Sequence, residues 1–272
     1  MSFFKTKLLL KERGILPNKK MGQNFMIDSS LFPKISEYAS LNKTDVVLDA
    51  GAGFGFLTKF LAQICRKVVA VEKDAKIVEA LRDQLKSLNN VSIVKGDLLK
   101  VDLPRFNKVV SIPPYYLSTR LISWLFMHKI DCAVLILQKA FAERLSAKVN
   151  TEAYGWLTVI TQYYAKIAIL DEIISETFYP KPEVESIIVQ ISPWTSPPFK
   201  VTDPKLFRLV VKHLFSNRNK KLANAIHPFL KKKFNFSKLN TEQFLKIFPF
   251  HEKRVRQLSA KNFGELINGL TK

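Results

Sequence analysis

From about residue 30 to residue 190, short apolar runs alternate with longer stretches whose apolar residues recur every three or four positions. Val46–Ala50 (VVLDA) is rich in β-branched residues and runs straight into glycines, so it is predicted as a buried strand. Residues 68–72 (VVAVE), Val91–Lys95 (VSIVK), 108–112 (KVVSI) and 132–137 (CAVLIL) repeat that pattern. Between them, Phe56–Ile64, 74–87 and 118–127 carry helical spacing. Strands that alternate with helices imply an α/β fold with a mostly parallel, doubly wound sheet. Residues 165–170 and 185–191 then follow as two strands without a helix between them. Parallel neighbours need a crossover, so these two are expected as an antiparallel hairpin at the sheet edge.

The pattern changes at 192–198 (SPWTSPP), where three prolines remove backbone donors and interrupt regular pairing. Beyond it the chain is helical in period and dense in Lys and Arg. The expected organisation is a basic N-terminal arm over 1–30, an α/β domain over 31–193 and a small helical, RNA-binding domain over 199–272. The 272 residues suffice for one sheet domain and such an appendage.

Charge narrows the partners. There are 43 Lys and Arg against 23 Asp and Glu, a net of +20, and a field of that sign attracts polyanions. Lys19 and Lys20 before the sheet domain, and Arg218, Lys220 and Lys221 in the tail, are the candidate phosphate contacts. Cys65 and Cys132 have no ligand spacing, and the four histidines are scattered, so no metal is expected and a reducing cytoplasm fits. No apolar stretch approaches the roughly 18–20 residues of a membrane span, so no membrane partner is expected.

Chemistry concentrates where the first strand ends. Asp49-Ala50-Gly51-Ala52-Gly53-Phe54-Gly55 turns from strand to helix, and its glycines allow the backbone to approach a ligand closely. Glu72 ends the second strand, where a carboxylate can accept from both hydroxyls of a ribose. Asp97 ends the third, where it can accept from an adenine amino group. Two such carboxylates suit an adenosine without a pyrophosphate, and no Lys-Ser/Thr follows the glycines to cradle one. The combination points to S-adenosylmethionine, with NAD as the rival on grounds of fold.

These residues resemble a known family, the S-adenosylmethionine-dependent rRNA adenine dimethyltransferases, and the resemblance runs along nearly the whole chain. Residues 21–28 (MGQNFMID) are similar to the family's L-G-Q-[NH]-F-L-x-D element, and 47–58 to its glycine loop. Residues 138–145 resemble its Q-K-E-x-A-x-R-L helix, with Ala140 in place of Glu. Residues 178–186 (FYPKPEVES) match F-x-P-x-P-x-V-x-S. Residues 215–222 and 253–263 resemble the tail of the small-subunit branch, in its archaeal and eukaryotic form. The resemblance implies a Rossmann-like methyltransferase sheet plus a small C-terminal helical domain. It implies a monomeric enzyme in the cytoplasm that dimethylates adenine N6 in small-subunit rRNA or the pre-ribosomal small subunit, in ribosome biogenesis. It assigns cofactor contacts to Gln23, Asn24, the backbone of Met26, Gly51, Gly53, Glu72, Asp97 and Ile112. It assigns Tyr115 and Phe178 to stacking on the target base, and the carbonyl of Pro113 to its amino group.

One position departs. The family's N-[LI]-P-[YF] supplies an Asn carbonyl that accepts from the adenine amino group and frees the nitrogen lone pair. Anchored on Pro114-Tyr115, that position is Ile112, which has no side-chain acceptor. Ser111, one residue upstream, would serve if the strand end were bulged. The alternative is an assembly factor that binds cofactor and RNA with weak or lost methyl transfer. A small-molecule methyltransferase is disfavoured by the charge.

Overall fold

The computed structural model describes residues 3–17 and 22–271. The chain divides into two compact units, Met1–Ala142 with Ile167–Pro193, and Glu143–Lys166 with Trp194–Lys272.

In chain order the elements begin with α1 (Phe3–Glu12), β1 (Phe25–Met26), α2 (Phe32–Tyr38), β2 (Val46–Ala50), α3 (Phe56–Ile64), β3 (Lys67–Glu72) and α4 (Ala75–Leu85). They continue with β4 (Val91–Lys95), β5 (Lys108–Ser111), α5 (Ser118–Leu125), β6 (Cys132–Gln138), α6 (Lys139–Leu145), α7 (Trp156–Tyr164) and β7 (Ala165–Ile173). After β8 (Phe178–Tyr179) and β9 (Ser186–Pro193) come α8 (Pro204–Phe215), α9 (Leu222–Phe234), α10 (Lys238–Lys246) and α11 (Ala260–Leu270).

Seven strands form one sheet in the order β4-β3-β2-β5-β6-β9-β7. The neighbours from β4 to β6 pair in parallel, and β9 pairs antiparallel to β6. All five residues of β2 and the inner four of β3 are buried, so apart from Asp49 these strands read as continuous apolar runs rather than alternating ones. From β2 the chain winds outward through β3 and β4, then returns to the other side of β2 as β5. The switch point therefore lies between the carboxyl ends of β2 and β5, where a doubly wound sheet leaves a crevice. The fold is the mostly parallel, Rossmann-like sheet that the pattern predicted. The last two strands do lie side by side at one edge, with β9 inside and β7 outermost.

Local sequence fixes the helix starts that face the crevice. Gly55 caps α3 at φ 79°, and a Cβ there would come within 2.4 Å of Leu81. Asp74 caps α4 by accepting from the backbone N–H of Lys76 and of Ile77.

Two boundaries differ from the sequence pattern. The N-terminal segment is more than an arm: Leu9, Leu10 and Ile15 are buried in a cluster with Phe25, Phe54, Ile77 and Ala80. In α1 the lysines interrupt the apolar stripe, which hides the helix. The second unit also takes in Glu143–Lys166, which lies on the sheet side of the proline boundary. Within that unit the Tyr154 hydroxyl is buried and donates to the Leu258 carbonyl at 2.8 Å, a link no local period reveals. Asp203 caps α8 with Pro204 in its first turn, where a missing N–H costs nothing.

Candidate functional site

The carboxyl ends of β2, β3, β4 and β5 open on a cleft of about 940 Å³, its mouth included. Gln23, Asn24, Gly51, Gly53, Glu72, Asp97, Ile112, Pro113, Tyr115 and Phe178 all line it, and the fold thereby gathers residues from six separate segments. Met26 lines a smaller cleft of about 400 Å³ that shares Asn24, Gly51, Gly53 and Ile112 with the first. The two sequence elements around residues 25 and 178 meet directly. Phe25 pairs with Tyr179 and Met26 with Phe178 in a two-stranded antiparallel sheet.

Gly51 is held at φ 88°, and a Cβ on it would sit 2.9 Å from Cδ of Pro114. Only glycine lets the β2 turn and the loop after β5 close on one another at the switch point.

The cleft's carboxylates are set by backbone donors. Oε1 of Glu72 accepts from the N–H groups of Lys73 and Asp74, at 2.7 and 2.9 Å, and Oε2 accepts from Gly53 at 3.0 Å. Burial pushes the Glu72 carboxyl up, against those three hydrogen bonds. Its Oε1 is thus fully engaged, and Oε2 retains one lone pair for a ligand. Asp97 accepts from the Leu99 N–H at 3.1 Å, and this bond, aided by the Lys73 and Arg120 cations, holds its carboxyl low. Asp49, next to last in β2, is fully buried, and desolvation pushes its carboxyl up to about 7 although the Thr58 hydroxyl donates to it at 2.7 Å. Glu72 and Asp97 in the main cleft, with Asp49 in the smaller cleft that adjoins it, favour a ligand that carries positive charge of its own in a chain of net charge +20.

Beyond Asp97 the walls turn apolar and aromatic. Phe178 is 3% exposed and joins the core cluster that contains Met26, Ile173 and Ile188, with Ile112 packed against it. Tyr115 is half-buried, and its hydroxyl is hydrogen-bonded to that of Ser186, the first residue of β9. Burial raises the Tyr115 phenol. Ser111 does not reach this space. It pairs in regular register with Leu135, is buried, and donates its hydroxyl to the Ala50 carbonyl at 2.7 Å. The strand end is not bulged, so the substitute acceptor anticipated there faces the sheet instead.

Lys73, Leu98, Tyr116 and Arg120 also line the cleft and were not singled out in the sequence. Lys73 and Leu98 directly follow the two strand-end carboxylates, and that position was the available signal. Nothing distinguishes Arg120 from the chain's other arginines until α5 turns it toward Asp97.

The expected RNA contacts divide. Lys19 and Lys20 lie outside the described residues. Arg218 donates through both guanidinium nitrogens to the carbonyls of Thr151 and Glu152, each at 2.9 Å, so it braces its own unit. Lys221 is paired with Glu252 at 2.7 Å, while Lys220 is exposed. Among the described residues no group of three or more His, Cys, Asp or Glu is placed to hold a metal ion, and no helix is long and apolar enough to cross a membrane.

A family model described as ribosomal RNA adenine dimethylase matches residues 16–267. The chain belongs to this family. Within it, the chain is 34% identical over 270 residues to the ribosomal RNA small subunit methyltransferase A of Clostridium botulinum, covering 96% of each. It is 38% identical over 277 residues to the probable ribosomal RNA small subunit methyltransferase A of Methanosarcina barkeri, covering 98% of this chain and 92% of that one. The crystal structure of a dimethyladenosine transferase from Plasmodium falciparum superposes with a TM-score of 0.81 at 26% identity, over 91% of this chain and 97% of that one. The 23S rRNA methyltransferase ErmE, at 24% identity and a TM-score of 0.65, shares the fold.

Proposed function

We propose that this chain is an S-adenosylmethionine-dependent methyltransferase that dimethylates adenine N6 in small-subunit rRNA, in the course of ribosome small-subunit assembly. The observation that carries the reading is one cleft in which adenosine-binding carboxylates and an aromatic base pocket meet at the switch point of the dimethylase-family sheet. A binding factor without turnover is not favoured, because the relatives are named as methyltransferases.

S-adenosylmethionine, when bound, supplies a methyl group on a positively charged sulfur. The residues fit it. Glu72 offers Oε2 to a ribose hydroxyl, and Asp97 offers Oδ2 to the adenine amino group. Asp49 and Glu72 are desolvated acids whose ionised forms a nearby cation stabilises. Asn24 and the backbone of Met26 close over the methionine end, beside Gln23, Gly51 and Gly53. On the other side, Tyr115 and Phe178 hold the target adenine between apolar walls, with stacking worth about 1–3 kcal/mol. The Pro113 backbone carbonyl accepts from the target amino group and turns the nitrogen lone pair toward the methyl. Ile112 keeps water from the reacting atoms but gives that amino group no second acceptor. The chain's contribution is positioning and hydrogen bonding, and no protein nucleophile takes part. We infer further that the enzyme acts as a monomer in the cytoplasm, needs no metal, and uses Lys220 among its exposed lysines to meet rRNA phosphates.

The test incubates undermethylated small subunits with methyl-labelled S-adenosylmethionine. The wild type is expected to label the rRNA. Glu72→Ala is expected to weaken cofactor binding, measured by calorimetry, by roughly 10- to 100-fold, the range for hydrogen bonds to a charged group. Unlabelled rRNA with an intact, cofactor-bound enzyme would refute the reading.

A further inference from the structure

At the opposite ends of the same strands the sheet unit carries a second groove, of about 1110 Å³ with its mouth. It is formed by the segment that leads into β5 and by the end of α5 with the residues after it. Since β5 and β6 are parallel, this groove opens at their amino ends and the cofactor cleft at the carboxyl ends. The length of β5 separates them by roughly 13 Å.

Three rings stand together in it. Phe106 and Trp124 are nearly parallel, with centroids 6.0 Å apart and planes at 16°. His128 lies 3.8 Å from Trp124 and 5.8 Å from Phe106. Its Nδ1 is 2.9 Å from the Trp124 carbonyl, which fixes the imidazole against the indole. Phe106 and Trp124 are only half-buried and His128 is exposed, so this is not core packing. Exposed Arg105 and Lys129 flank the rings, with Asp102 as the one acid in the lining. Fixed aromatic faces left to water beside two cations match a planar π-system with an attached anion. A nucleotide in an unpaired strand has both, since every base offers a face to stack and every link a phosphate to neutralise.

We infer that this groove is a second RNA site, which stacks an unpaired base on the Trp124–His128 platform and meets its phosphates with Arg105 and Lys129. It takes from the proposed function only that the substrate is RNA. It would anchor the rRNA on the far edge of the sheet while the target adenine occupies the cofactor edge.

The test uses the full-length protein, a labelled single-stranded RNA oligonucleotide and undermethylated small subunits at one fixed salt concentration. Trp124→Ala and the double variant Arg105→Glu/Lys129→Glu are each expected to weaken oligonucleotide binding and raise the KM for subunits roughly tenfold. The kcat and the cofactor affinity stay as in the wild type, and Trp124→Phe keeps most of the binding. Unchanged oligonucleotide affinity in the double variant, whose exposed side chains leave the fold intact, overturns the proposal. So does a loss confined to subunits, which would make the partner a ribosomal protein. Failure of wild-type cofactor binding would strike the proposed function alone, because oligonucleotide binding needs no cofactor.

Discussion

At Ile112 the sequence and the structure pull the chemistry in a definite direction. The side chain packs against the Phe178 cluster and lines both clefts, at the place where the family's motif presents an amide. Its departure was legible in the sequence; the fate of Ser111 was not, because only the register with Leu135 shows which way the hydroxyl turns. Ile112→Asn is expected to raise kcat on saturating subunits, by up to roughly 10²–10³-fold where the missing hydrogen bond limits the rate. The same substitution is expected to lower Tm, since a polar amide replaces packed hydrocarbon. A fall in both would mean that the Asn geometry is not available in this chain. Asp49 carries a second prediction. Its folded-state value of about 7 lies above the ordinary 3.8, so the native state holds the extra proton between those limits. Its contribution to stability is present below about 4 and is lost as pH rises through about 7. Asp49→Asn removes that loss, so its Tm relative to wild type is expected to climb over this interval. A pH-independent difference in thermal unfolding would contradict the burial account.

Elements whose residues sit next to one another in the chain were readable from it. The β2 turn, α3 and the strand-end carboxylates follow from β-branched runs, glycines and helical spacing. The closure of the site was not readable as geometry, because β1 and β8 are two residues each and pair across about 150 positions of sequence. Their motifs marked them as relevant; only the fold shows that Met26 and Phe178 are partners. The basic tail gives the converse lesson. By composition Arg218 and Lys220 are equivalent, yet one guanidinium is spent on two backbone carbonyls of its own unit and the other side chain is in solvent. Arg218→Ala is therefore expected to destabilise the protein by about 1–3 kcal/mol, seen as a lower Tm. Lys220→Ala should leave Tm unchanged and weaken subunit binding, with a shallower salt dependence. Equal Tm values for the two variants would remove the bracing role assigned to Arg218.

Over the whole molecule, charge is distributed against its average. A chain of net charge +20 places Glu72 and Asp97 in its main cleft and Asp49 in the smaller cleft that adjoins it, so the surface attracts a polyanion while the crevice favours a ligand bearing a cation. Composition revealed the first half of that arrangement, and the strand ends revealed most of the second. A methyl donor with a positive sulfur and a substrate with a phosphate backbone are the two ligands this division suits. The most direct measurement is the nucleoside content of small-subunit rRNA after incubation of undermethylated particles with this enzyme and methyl-labelled S-adenosylmethionine. The proposed function predicts label in N6,N6-dimethyladenosine, and roughly 10- to 100-fold slower labelling with Glu72→Ala at a cofactor concentration below the wild-type Kd. Label in another nucleoside, or none from a wild type that binds both ligands, would contradict it.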